Sequence, residues 1–130
     1  MSFEPIPQRT EEVAREVIDA AFTVHRELGP GLLESVYEAC LCHELTCRGI
    51  PFRSQLSLPV MYRGIQIDAG LRLDVLVSEC VILELKAVER LLPVHEAQCL
   101  TYLKLTKLRL GFVLNFNVPR LKEGIRRIVL

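Results

Sequence analysis

Between Val81 and Val88 the chain reads VILELKAV, an apolar strand interrupted by one carboxylate and one ammonium. Strand side chains alternate between faces, so Val81, Leu83, Leu85 and Ala87 share one side and Ile82, Glu84, Lys86 and Val88 the other. The first face is wholly apolar and demands a covering layer. The second carries two charges into apolar surroundings, where each ion is costly unless a partner compensates it. A chain with this segment must therefore build a sheet covered by other elements. It must also provide something that answers Glu84 and Lys86.

The flanking sequence supplies the layers. Thr10 reads as an N-cap with Glu11 and Glu12 in the first turn, and Val13, Val17, Ala20, Ala21, Val24 and Leu28 recur at helical spacing. Gly29-Pro30-Gly31 stops that helix, and a second is expected from about Leu33 to Arg48, capped by Gly49 with Pro51 beyond. After Pro51 the period changes. Strands are expected over Phe52–Met61, Ile65–Ile67 after an Arg63-Gly64 turn, Leu71–Val77, Val81–Val88 and Leu110–Phe116, the last buried on both faces. Helical spacing returns from Pro93 to about Leu105 through Ala97, Leu100, Leu103 and Leu105, and Ile125–Leu130 reads as a short final strand. The order predicts an α/β (α+β) fold, a central mixed β-sheet flanked by helices, in one domain spanning residues 1–130.

Asp74 gives the charged strand a neighbour. Leu71, Leu73, Val75 and Val77 alternate with Arg72, Asp74 and Leu76, which separates Asp74 from the apolar set. Directly opposed residues of an antiparallel hairpin share a face, so Asp74 meets Glu84 only across a loop of odd length, such as Ser78-Glu79-Cys80. A two-residue turn would put the carboxylates on opposite sides. Two adjacent carboxylates repel, and a divalent cation reconciles them. All-oxygen ligands suit Mg²⁺ or Mn²⁺ rather than Zn²⁺. Such an ion polarises a phosphoryl oxygen and acidifies bound water, and a lysine two residues from the ligand can hold that water or offset charge on the phosphate.

Asp74, then Glu84-Leu85-Lys86, resembles the D…(D/E)-x-K signature of the PD-(D/E)XK nuclease superfamily. Gly31-Leu32-Leu33-Glu34-Ser35-Val36-Tyr37 resembles the name-giving motif of the GxxExxY family, a small-protein branch of it. Gln98 and Tyr102 resemble the Q-x-x-x-Y helix motif of its exonuclease-like members. The stretches VHRELGPGLLESVYE, ILELKAVERLLPVHEAQ and LGFVLNFN are similar to this family in order and spacing, from about Glu11 to Leu130. Leu73 departs from the nominal pattern, which has proline before the aspartate. The resemblance implies a restriction-endonuclease-like core and a metal-dependent phosphodiesterase acting on nucleic acid. Asp74 and Glu84 would be metal ligands, Glu34 an outer or additional ligand, Lys86 the residue assisting water, and Gln98 and Tyr102 its support.

Other residues have plainer readings. Tyr37 reads equally as a core residue or a hydrogen-bond partner of Glu34. His25 and His95 read as structural, with His95 a weaker candidate because it opens the helix of Gln98, and Arg72 could reach a phosphate or neutralise the acidic residues. Cys40, Cys42, Cys47, Cys80 and Cys99 contain no C-x-x-C pair, and Cys40, Cys42 and His43 fit no standard zinc spacing. Reduced, buried thiols in a reducing compartment are expected.

Sixteen basic and sixteen acidic side chains leave no net charge, so the chain as a whole is no polyanion binder. The charge is uneven: residues 1–85 hold 7 Lys/Arg against 13 Asp/Glu, and residues 86–130 hold 9 against 3. Neither a leader segment in the opening residues nor an apolar run of bilayer-spanning length is evident, so the expected location is cytoplasmic. No DNA-reading module is recognisable, and substrate recruitment would fall to a homo-oligomer, a partner protein or the basic C-terminal third. Two other readings stand beside the enzyme: a catalytically weak or silent nuclease-fold module that binds nucleic acid or protein, and a purely structural ion-pair network of Asp74, Glu84 and Lys86.

Overall fold

Helix α1 spans Gln8–Leu28 and starts ahead of Thr10. Pro7 occupies the cap position, and its carbonyl accepts the first helical bond, from the Glu11 N–H at 3.1 Å. Proline has no N–H to lose there, so the helix extends back to it and Thr10 turns inward as a buried residue instead of capping. The remainder follows in a computed structural model that describes residues 4–130, apart from the side chain of Ala69. Residues 1–3, the start of the segment read for a leader, lie outside the described residues. Helix α2 covers Glu34–Cys47, and Gly49, at φ +70°, lets the chain turn into the sheet.

Five strands form one sheet in the order β1-β2-β3-β4-β5: Phe52–Tyr62, Ile65–Val77, Val81–Lys86, Leu110–Asn115 and Ile125–Val129. Ile65–Ile67 and Leu71–Val77 are one long strand rather than two. Its outer half pairs only with β1, across the turn at Arg63-Gly64. The pairs β1–β2, β2–β3 and β4–β5 are antiparallel and β3–β4 is parallel, so the sheet is mixed. Helix α3, Pro93–Thr106, makes the crossover between the parallel strands.

Helices α1 and α2 cover one face of the sheet. Their Val17, Ala20, Ala21, Tyr37, Leu41 and Leu45 pack against Val75, Val81, Leu83, Leu85, Phe112 and Leu114. Helix α3 covers the other face, where Cys99, Tyr102 and Leu103 pack against Leu73, Leu76, Ile82 and Val113. The buried stripe of α3 thus differs from the expected one: Ala97 is exposed and Leu100 only half-buried. Gly111 is the reason, because a Cβ there would stand 2.8 Å from Cys99 Sγ. Its bare surface draws Cys99 inward and sets the roll of the helix. Every residue of β4 is buried, as a central strand covered on both sides must be.

Gly124 opens the way from the short 3₁₀ turn Leu121–Gly124 into β5, and a Cβ at Gly124 would overlap the main chain of Asn115. Backbone cannot swing aside as a side-chain tip can. Gly124→Ala is expected to destabilise the protein by roughly 1–3 kcal/mol, as overpacking does. Urea unfolding would check this as a lower midpoint than that of the wild type.

Candidate active site

Three residues, Ser78-Glu79-Cys80, join β2 to β3, and the strands pair as Val77↔Val81, Leu76↔Ile82 and Val75↔Leu83. Ser78 and Glu79 both adopt positive φ (50° and 57°) and Cys80 N–H donates to Val77 O at 3.0 Å, the geometry of a primed hairpin turn. The loop is odd, and continuing this register sets Asp74 opposite Glu84. There the ladder gives way, and Asp74 Oδ2 accepts the Leu85 N–H at 2.9 Å.

Glu84 is 2% exposed, and its Oε1 has no hydrogen-bond partner. Burial first, then the charge of Asp74 and a hydrogen bond between the two carboxyls, push its pKa up to about 9, against a smaller opposing effect of Lys86. Lys86 does not neutralise it by contact. Its Nζ donates to Gln98 Oε1 at 3.4 Å, and Gln98 Nε2 donates in turn to Tyr102 Oη at 3.3 Å. The Tyr102 hydroxyl has its pKa raised, chiefly by burial. Among the described residues, salt bridges join Arg48 to Asp19 and Glu44, Arg53 to Glu79 and Arg127 to Glu11. None includes Asp74, Glu84 or Lys86, so a structural ion-pair network does not describe this cluster.

Glu34 lies at the exposed start of α2, within reach of the charges of Lys86, Asp74 and Glu38, and its pKa is raised, mainly by partial burial. It does not join the two strand carboxylates in a compact set: among the described residues no three His, Cys, Asp or Glu side chains gather as a metal cluster. Glu38, one turn further along, belongs to the same neighbourhood and was not singled out in the sequence. Its pKa is raised by burial and, to a lesser degree, by Asp74, while Gln55 Nε2 donates to both its oxygens at 2.7 and 2.8 Å. The available signal was its i,i+4 spacing from Glu34, which places both on one helix face.

The segment leaving β4 ties the site together. Asn115, 1% exposed, pairs with Val88 by both amide atoms: Val88 N–H donates to Oδ1 at 3.1 Å and Nδ2 donates to Val88 O at 3.0 Å. The side chain thus continues the ladder after β3 has ended. Asn117 Oδ1 accepts the Gly31 N–H at 3.0 Å, in the loop leading to Glu34. Tyr37 stacks on Phe116 at 4.7 Å, donates to Gly29 O at 2.6 Å and accepts from Leu32 N–H at 3.1 Å. It is a core residue that anchors this loop.

The histidines also prove structural. His25 Nε2 donates to Val118 O at 2.8 Å, and His95 Nδ1 accepts the Leu92 N–H at 3.0 Å, closing the start of α3. All five cysteines are free, but only Cys99 is buried, with its pKa pushed up to about 12 by burial. Cys47 is exposed, its Sγ 3.5 Å from His43 Nε2, because α2 presents it to solvent rather than to the sheet.

A family profile for the PD-(D/E)XK nuclease superfamily matches residues 11–128, a span that takes in all of these residues. The chain belongs to the PD-(D/E)XK nuclease superfamily. Among curated proteins none matches it significantly. Among solved structures none does either. Membership in this superfamily gives the mixed sheet and its paired carboxylates a nuclease-like setting. No helix among the described residues is long and apolar enough to cross a membrane.

The raised pKa of Glu84 makes stability depend on pH. The folded state holds a proton that the unfolded chain releases near 4.5, so this contribution is full below about pH 4.5 and is lost as pH rises toward 9. In metal-free buffer the wild type should lose up to about 1.4 kcal/mol per pH unit across that window from this group. Glu84→Gln should show a flatter profile by chemical denaturation; parallel profiles would contradict a buried, protonated Glu84.

Proposed function

We propose that the protein is a Mg²⁺- or Mn²⁺-dependent nuclease of the GxxExxY branch, with Asp74 and Glu84 as the cation's ligands. The observation that carries this reading is the buried, unpartnered Oε1 of Glu84 beside a second carboxylate. An oxygen pair of this kind suits a hard divalent cation, and among the described residues no arginine forms a salt bridge with either carboxylate. When bound, the cation would supply charge neutralisation at a phosphodiester and a more acidic water.

The chain's own residues do the rest. Leu85 N–H holds one oxygen of Asp74 and so fixes its orientation. Lys86, steered by Gln98 and Tyr102, presents an ammonium two residues from Glu84, where it would hold the attacking water and offset charge developing on the phosphate. Glu34, within reach of the charges of Lys86 and Asp74, would act as an outer or additional ligand through water. Arg72, exposed and two residues from Asp74, would reach a phosphate. The motif glycine, glutamate and tyrosine have separate parts here: Gly31 is tied to Asn117, Glu34 lies within reach of the charges of Lys86 and Asp74, and Tyr37 pins the loop between them.

The test combines binding and cleavage. Millimolar Mn²⁺ or Mg²⁺ should raise the wild-type melting temperature, by a stabilisation of about 2.7 kcal/mol when the ion is at a hundred times its Kd. Asp74→Ala should abolish the rise. Single-stranded, double-stranded and branched DNA and RNA should then be screened for cleavage, with Glu84→Ala and Lys86→Ala expected to lose about a hundredfold or more. A wild type that responds to neither ion and cuts none of these substrates would refute the enzyme and favour a silent nucleic-acid- or protein-binding module.

A further inference from the structure

Gln55 stands in the middle of β1 with φ +54°, a left-handed conformation that is uncommon for a residue with a side chain and foreign to a strand. It lies opposite Asp74. The β1–β2 register runs Ser54↔Val75, then Leu56↔Leu73, and the Gln55–Asp74 pair between them is missing. The two faces of the hairpin also exchange at this point. Phe52, Val75 and Val77 pack toward α1 and α2, whereas Leu56, Leu58, Leu71 and Leu73 pack toward α3. The strict alternation expected for Leu71–Val77 therefore breaks at Asp74. A left-handed residue within a strand bends it, and here Asp74, opposite that bend, interacts through its charge with the α2 carboxylates and with Glu84 of β3.

The same residue reaches across to α2. One amide nitrogen of Gln55 binds both oxygens of Glu38 at 2.7 and 2.8 Å, and Glu38 sits close enough to Asp74 for their charges to interact. Backbone strain of this kind persists only where the surroundings enforce it, and it gathers at functional positions. The Gln55 side chain is itself exposed, so the core does not hold it in place, and its contact with Glu38 is what engages it.

We propose that Gln55 and Glu38 form a positioning pair for Asp74: the strained backbone of Gln55 turns Asp74 into the cleft, and its amide holds the charge of Glu38 beside it. The proposal rests on the reading of Asp74 as a cation ligand. Gln55 and Glu38 act through Asp74 and need not touch substrate.

Glycine adopts positive φ without strain, so Gln55→Gly keeps the bend while removing the clamp on Glu38. The full chain would be compared with Gln55→Gly, Glu38→Gln and the double variant. Three readouts are needed: Mn²⁺ affinity by calorimetry, metal-free melting temperature, and kcat and KM on whichever substrate the wild type cuts. Gln55→Gly should melt no lower than wild type yet bind Mn²⁺ about tenfold more weakly, with kcat falling and KM little changed. Glu38→Gln should show a similar loss, and the double variant no more than the larger single one, because the two act as one unit. Wild-type affinity in both single variants would overturn the proposal, as would losses that multiply in the double variant. A fall in melting temperature that accounts for the lost binding would reduce Gln55 to a structural residue. A wild type that ignores Mn²⁺ would sink the cation reading and this proposal together, whereas a responsive wild type with equally responsive variants would sink only this one.

Discussion

Placing Glu84 in the third strand with almost no access to water governs how the rest of this site is built. A carboxylate so buried normally recruits an arginine or several N–H donors, or it gives up its charge. The chain provides neither kind of partner for Oε1, and sets Asp74 beside it, which makes ionisation harder. An apolar side chain at this position would carry no such desolvation cost. The arrangement is thus poor as stabilisation and coherent as a place where a proton can be exchanged for a more highly charged ion.

A demanding site of this sort needs a frame that does not yield, and the frame is concentrated at one end of the sheet. Each residue from Asn115 to Val118 makes a separate tie: Asn115 to Val88, Phe116 to Tyr37 and to the Lys86 carbonyl, Asn117 to Gly31, and Val118 to His25. These ties connect the loop after Lys86 with the loop before Glu34. The two are distant in sequence and would otherwise move independently. Side-chain amides suit the task because Asn115 can donate and accept at once, reproducing a strand partner where no strand remains.

Much of this was legible in the sequence, for reasons that can be named. The alternation in VILELKAV and the three residues between Val77 and Val81 are local facts, and together they bring Asp74 and Glu84 to one place. Gly29-Pro30-Gly31 and Gly49 likewise mark helix ends through backbone constraints that act at once on their neighbours. The parts that escaped depend on remote contacts. Gln55 is an unremarkable strand residue by composition, and its left-handed backbone makes sense only with Asp74 opposite and Glu38 above. The roll of α3 is not legible locally, because Leu100 and Ala97 fit an apolar helical stripe as well as Cys99 and Tyr102 do. Only the bare backbone of Gly111 on a strand formed later in the chain decides between the two faces. Cys47 illustrates the converse error, in which a residue type that usually seeks the interior sits on the outer side of a helix with His43 as its neighbour.

Charge balance gives the cation a further reason. Asp74 feels the charges of Glu34, Glu38 and Glu84, and Lys86 opposes only part of this acidic surplus, so without a cation this region repels a polyanion. The basic excess of residues 86–130 can draw a nucleic acid toward the molecule, but it cannot bring a phosphodiester against ionised carboxylates. Retaining a proton on Glu84 reduces the repulsion without making the site attractive. A divalent ion in its place would turn the same carboxylates from an obstacle into ligands, and the carboxylates would then draw the ion to the one position where it also neutralises the phosphate. On this argument the acidic surplus and the absence of paired arginines have one cause. Adding cationic side chains to the cleft would ease its repulsion while competing with the proposed ion for the carboxylates.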